Sequence, residues 1–151
     1  MIAMLAGDIL RSEAQTLVNP VNCAGAMGKG VALQFRRRFP LMYDDYRMRC
    51  ARGLVRLGEP YLYRGPLPPW IVNFPTKAHW RSRAQLASIR AGLEYLRLSY
   101  QSWAITSLAV PALGCGEGGL HWSDVEPVLL HSLERFLIPI EVYLPAGGRS
   151  A

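Results

Sequence analysis

Six short apolar runs alternate with four helical patterns along the chain, and that alternation leaves few architectures open. The runs Ile2–Leu5, Leu17–Val21, Pro60–Tyr63, Trp70–Phe74, Trp103–Val110 and Ile140–Leu144 are bounded by turn residues and read as strands. Between them, Gly30–Phe39, Leu41–Arg52, Ser82–Ser99 and Ser123–Phe136 carry helical patterns, and Ser123 with Glu126 predicts a capping box opening the last helix. AITSLAV and IEVYL are apolar or β-branched on both faces, as strands are when helices cover both sides of a sheet. The predicted fold class is therefore α/β: three α/β/α layers around a central mixed, mostly parallel sheet. At 151 residues, half of them apolar, the chain suits one domain, 1–151, with a substantial core. RGPLPPW reads as a proline-rich loop inside that domain, and the tail AGGRS as a frayed end.

No run of about 18 apolar residues is present to span a bilayer, and MIAMLAGDIL lacks a basic leader and a small-residue cleavage site. The chain reads as cytoplasmic, with no membrane partner. Cys23, Cys50 and Cys115 are odd in number and scattered, so they read as reduced thiols. His79, His121 and His131 are too dispersed for ligand spacing, so neither a catalytic metal nor a cofactor is expected. The net charge of +6 favours anionic partners, a phosphate-bearing ligand or nucleic acid, without choosing between them. An arginine-rich coding bias gives the same charge.

Two glycine-rich stretches follow strands and lead into helices. In VNPVNCAGAMGKGVALQF, residues 18–35, Gly25, Gly28 and Gly30 precede a helix whose N-terminus offers unpaired N–H groups to a phosphate or ribose. The spacing is neither a dinucleotide fingerprint nor a P-loop, and alone it is more simply a tight turn. VPALGCGEGGLHW, residues 110–122, repeats the arrangement with Gly114, Gly116, Gly118 and Gly119. Loops at the carboxyl ends of strands form the ligand crevice of an open α/β sheet, and two such loops can clasp a pyrophosphate. Asp8, after the first strand, either caps a turn or accepts a hydrogen bond from an exocyclic amine. Lys77 ends the run WIVNFPTK in a chain that otherwise relies almost wholly on arginine. An amine there is either a solvated surface group or a reactive one, since it can attack carbon or donate a point-like hydrogen bond.

GDIL, LVNPVNCAGAMGKGVALQF, VNFPTKAHWR and VPALGCGEGGLHW together resemble the macrodomain family, in its DarG branch of DNA ADP-ribosyl glycohydrolase antitoxins. The resemblance runs from Met4 to about Pro145, and the MGKG loop and the NFPTK-HWR segment are its more specific parts. It implies an ADP-ribose site in which Asp8 and the Ile9 amide hold adenine. Asn22 and the loop Gly25 to Gly30, with Met27, Gly28 and Lys29, would surround the distal ribose, and Val21, Val31 and Ala32 are further ADP-ribose-binding residues. Gly114, Cys115, Gly116, Glu117, Gly118, Gly119 and Leu120 would wrap the diphosphate.

By the same resemblance Lys77 is the catalytic residue, acting either as a nucleophile at the anomeric carbon or as a charged donor as the bond breaks. Eukaryotic relatives pair such a lysine with an aspartate in the second loop, in a pattern like G-C-G-x-D. Here GCGEG puts Gly118 at that position, with Glu117 one residue away. Trp80, Arg81 and Arg83, with Arg36, Arg37 and Arg38, suggest a rim that holds DNA, against the plainer reading of a solvated face. The implied activity is removal of ADP-ribose from thymidine in single-stranded DNA, with a DarT-type ADP-ribosyltransferase toxin as partner. The alternatives are a non-catalytic ADP-ribose reader, or a hydrolase of ADP-ribosylated protein or O-acetyl-ADP-ribose.

Overall fold

The structure, a computed structural model, describes residues 1–146; the tail AGGRS lies outside them from residue 147 onward. Strands β1 (Ile2–Leu5), β2 (Thr16–Asn22), β3 (Tyr61–Tyr63), β4 (Trp70–Lys77), β5 (Leu108–Val110) and β6 (Ile140–Tyr143) form one sheet in the order β1-β6-β5-β2-β4-β3. All pairings are parallel except the β3–β4 edge. The predicted layers follow from strand alternation. Leu17 and Val21 of β2, Ile71 of β4 and Ala109 of β5 pack under helices α1 (Gly30–Arg38) and α2 (Pro40–Ala51). Val18, Val72, Phe74, Leu108, Val110 and Val142 face helices α3 (Leu86–Ser99) and α4 (Trp122–Leu133) on the other side. Both faces of the central strands are thus buried, which explains their largely apolar character.

Several boundaries differ from those predicted, β4 running on to Lys77 and α4 ending at Leu133 among them, and three have a visible physical reason. The strand expected over Trp103–Val110 begins only at Leu108. Ala104 has φ of 60°, and the Gln15 side chain binds the backbone on both sides of that turn, donating to the Ala104 carbonyl (3.0 Å) and accepting from the Thr106 amide (2.9 Å). Helix α3 starts at Leu86 instead of Ser82, because Ala84 N donates to Gly118 O (2.9 Å) and ties the preceding segment to a loop. The capping box at Ser123 is absent: α4 starts at Trp122, its N-cap is His121, and no side chain caps it. Trp122 is buried against the α3–α4 core, and that anchor draws the helix start forward while Ser123 stays exposed.

One polar ladder crosses the α1–α2 face. Asn19 Nδ2 donates to Asn73 Oδ1 (3.0 Å), and Asn73 Nδ2 donates to the Tyr61 hydroxyl (3.0 Å). The three residues are register partners on β2, β4 and β3, so side-chain bonds reinforce the pairing of the strands that carry the first loop and Lys77.

Candidate functional site

The polypeptide leaves β2 for α1 on one face of the sheet and leaves β5 for α4 on the other, so the adjacent carboxyl ends of these strands part. Pairing of β2 with β5 covers only Thr16 and Leu17, and Pro20, which has no N–H to offer a neighbour, lies beyond it. The opening is a crevice of about 1080 Å³, large for a small-molecule site and sufficient for a dinucleotide-sized ligand.

The first loop is shaped by Asn22 and Tyr46. Asn22 Oδ1 accepts from Ala24 N (2.9 Å) and Ala26 N (3.4 Å), while Nδ2 donates to Ala26 O (2.8 Å), folding the chain back on itself. The Tyr46 hydroxyl, fully buried on α2, lies 2.6 Å from the Asn22 carbonyl and 3.0 Å from Oδ1. Burial pushes its phenol above the ordinary range, so it stays a donor. Substituting Tyr46→Phe is expected to lower stability by about 1–3 kcal/mol through loss of this buried donor. Chemical denaturation measures that cost. After the loop, α1 begins at Gly30 with no side-chain cap, so its first amides are left for a ligand.

The second loop holds itself through Leu120 N to Gly114 O (2.9 Å) and Gly119 N to Gly116 O (3.2 Å). Gly114 and Gly119 have φ of 77°, a region that glycine enters freely. Among the described residues, the amides of Gly116, Glu117 and Gly118 have no protein partner, and successive free amides make an anion-binding concavity. Glu117 turns its carboxylate toward Lys29 across the mouth (4.0 Å). Both side chains are more than half exposed, so this pair is a weak bridge between the loops.

Lys77 reaches the crevice through an irregularity in β4. Val21 pairs with Pro75, but Asn22 pairs with Lys77, so Thr76 is an extra residue that re-aims the strand end. Lys77 Nζ donates to Trp80 O (3.1 Å) and Glu117 O (3.1 Å), linking the end of β4 to the second loop. The Glu117 carbonyl, not its carboxylate, meets the amine, so Glu117 does not stand in for the aspartate of the eukaryotic pattern.

Of the expected residues, Asp8, Ile9, Val21, Asn22, Gly28, Lys29, Gly30, Val31, Ala32, Lys77, Trp80, Gly114, Cys115, Gly116, Glu117 and Gly118 line this one crevice. Asp8 takes the turn-capping role, its Oδ1 accepting from the Leu10 amide (3.0 Å), and the residue also lines the wall. Four others lie behind the loops. Gly25 packs toward Cys50, Met27 is buried beneath the first loop, Gly119 receives Arg83 Nη2 on its carbonyl (3.0 Å), and Leu120 props Gly114. Arg81 stacks on Trp80 at 4.4 Å. Arg36, Arg37 and Arg38 occupy the last turn of α1, about 10 Å along the helix from its crevice end.

Sequence reasoning missed a third wall, Tyr143–Ala146, and the floor residues Pro20, Thr76, Pro111 and Ala112. The signal for the third wall was its place after a parallel strand, the same place that marked the other two. Cys115 also lines the crevice, but burial pushes its thiol up to about 11, which keeps it protonated and unreactive at neutral pH. All three cysteines are free thiols. Among the described residues, no group of His, Cys, Asp or Glu could hold a metal ion, and no helix is long and apolar enough to cross a membrane.

A mostly parallel α/β sheet with two amide-rich loops facing each other across a crevice has the layout of an anion-binding α/β domain. Residues 18–129 match the macro domain, and the chain belongs to that family. It is 46% identical, over its whole length, to a Mycobacterium tuberculosis protein named DNA ADP-ribosyl glycohydrolase, and covers 44% of that protein. It therefore spans less than half the length of such curated relatives. Among solved structures, the macrodomain of Mycobacterium tuberculosis DarG superposes with a TM-score of 0.93 at 44% identity, covering 97% of this chain and 99% of that one. Thermosipho africanus DarTG in complex with ADP-ribose superposes with a TM-score of 0.95 at 37% identity, covering 99% of this chain and 43% of that one.

Proposed function

We propose that this domain binds ADP-ribose in the crevice and hydrolyses its bond to a base in single-stranded DNA, thymidine by resemblance. It would thereby reverse the action of a DarT-type toxin in the cytoplasm. The observation that carries the reading is Lys77, an amine delivered by a strand irregularity to the point where both loops meet. A reader of ADP-ribose has no use for it there. Support comes also from the names of the relatives and from the likeness to a structure in complex with ADP-ribose.

In this reading adenine lies toward Asp8 and Ile9, and the diphosphate meets the free amides of Gly116–Gly118 and of the α1 N-terminus. The distal ribose lies between the first loop and Lys77. The Asn22 amide group keeps one N–H beyond its bond to Ala26, and that proton is available to a ribose hydroxyl. The reaction breaks the bond between the anomeric carbon and the base nitrogen, adds water to the carbon and returns a proton to the base. As an ammonium, Lys77 donates to the Trp80 and Glu117 carbonyls and keeps a third N–H for the leaving base, where it offsets developing charge. With no carboxylate beside the amine, a hydroxyl or phosphate oxygen of the substrate is the remaining group to orient the water.

Incubation with ADP-ribosylated single-stranded DNA and, in parallel, ADP-ribosylated protein tests the proposal by chromatography of released ADP-ribose. Release from DNA is expected. Release from protein alone would move the substrate class, and tight binding of free ADP-ribose without release from either would make the domain a reader.

A further inference from the structure

The basic charge is not spread evenly. Between Lys29 and Arg52 seven basic side chains face two acids, a net of +5 in a chain whose total is +6. This segment is the loop end, α1 and α2, and α1 contains no acid. Asp45 is bonded to Arg49 (2.8 Å), which leaves Asp44 as the only unpaired carboxylate there. Arg36 and Arg47 both pack on the Tyr43 ring, at 4.4 and 5.8 Å, and Arg38 lies over Phe39 at 6.0 Å, so these guanidinium groups are partly ordered before any partner arrives. Arg37 makes no ion pair, ring contact or side-chain hydrogen bond among the described residues.

This surface is continuous with the crevice. Gln34 lines the wall, and Arg37 and Arg38 follow it at three and four residues, the spacing that puts side chains on one helix face. Cations in a last turn also complement the helix dipole. One would serve that purpose, and three consecutive arginines project in different directions.

We infer that the outer face of α1, through Arg37 and Arg38, carries the sugar-phosphate backbone of the DNA on one side of the modified nucleotide. Trp80 and Arg81 lie at the other side of the mouth and would receive the opposite flank. The inference rests on the reading of the crevice as a site for DNA-borne ADP-ribose. The distance from Gly30 to Arg37, about 10 Å at 1.5 Å per residue, corresponds to roughly three stacked nucleotides at 3.4 Å each. A substrate with a single flanking nucleotide on each side should not reach this surface, and one with five on each side should.

The test compares the wild type with the double variant Arg37→Ala, Arg38→Ala. Binding of unmodified oligothymidine is followed by fluorescence anisotropy at several salt concentrations, and release of ADP-ribose is followed on the two modified oligonucleotides. The double variant is expected to lower the salt slope for oligothymidine by about 1.4, the loss of two phosphate contacts on a single strand. It should raise KM on the long substrate about ten-fold and leave kcat, the short substrate and free ADP-ribose affinity unchanged. Arg81→Ala serves as the comparison for the opposite flank. If the double variant matches the wild type in slope and in KM on the long substrate, and changes only thermal stability, the inference is overturned and the arginines serve the helix alone. If wild type releases nothing from modified DNA yet loses oligothymidine affinity in the double variant, the proposed reaction fails while the nucleic-acid surface stands.

Discussion

Lys77→Ala is expected to bind ADP-ribose nearly as well as the wild type and to release it from modified DNA at least ~10²-fold more slowly, the usual scale for loss of a proton donor or nucleophile. Binding is spared because the amides of Gly116–Gly118 and the α1 N-terminus lie on backbone the substitution does not remove. The bonds to the Trp80 and Glu117 carbonyls are lost, so the second loop should loosen slightly, and calorimetry would register that as a small fall in affinity. Lys77→Arg separates the two chemical roles. A charged donor is partly replaced by guanidinium, whereas a nucleophilic amine is not, so an arginine variant as inactive as the alanine variant would point to a covalent route. Borohydride trapping during turnover then decides it, since an imine with ring-opened ribose reduces to a stable adduct on Lys77. Full activity of Lys77→Ala would remove the residue from the reaction altogether.

Gly118→Val should weaken ADP-ribose binding by roughly ten- to a hundred-fold, corresponding to an overpacking cost of about 1–3 kcal/mol felt at the loop. A Cβ at Gly118 would stand 2.5 Å from the Gly114 carbonyl oxygen and 2.8 Å from the Ala84 Cβ, and neither neighbour is a flexible side-chain end. Nothing lies within 4 Å of a Cβ at Gly28, so Gly28→Ala should bind almost normally. The sequence suggests that both glycines leave room for the ligand. The structure divides them: Gly118 is small because its own loop closes on it, and Gly28 borders open crevice. Isothermal titration of both variants, with thermal unfolding to confirm the fold, reads the difference directly. Equal affinities would mean the second loop can repack and is not the fixed half of the clasp.

Most of the fold could be read from residue pattern because burial on both faces leaves a plain mark. Runs such as LAV sit between helix layers and cannot alternate in polarity. The boundaries that failed were decided by partners distant in sequence. Gln15 reshapes the segment before β5 from some ninety residues away, and the Gly118 carbonyl holds back the start of α3. A window of neighbouring residues contains no trace of either. In the site, the two glycine loops were legible because free amides and positive φ require one residue type. Tyr46 was not, since a tyrosine inside a helix looks like any other core aromatic until its hydroxyl is seen against Asn22. Tyr143 was hidden for the same reason, as the last apolar residue of a buried strand.

The irregular pairing at the end of β4 makes the site depend on counting as much as on chemistry. Successive residues of a strand point to opposite faces, so parity decides where an amine goes. With Thr76 as the extra residue, Lys77 stands opposite Asn22; without it, the lysine would fall in the place Thr76 now holds, one step out of phase. Loss of a single codon there would leave both glycine loops, Asp8 and the crevice walls untouched while moving the amine to the buried floor position that Thr76 now lines. On the role proposed for Lys77, binder and hydrolase would be separated, on this scaffold, by one unit of chain length.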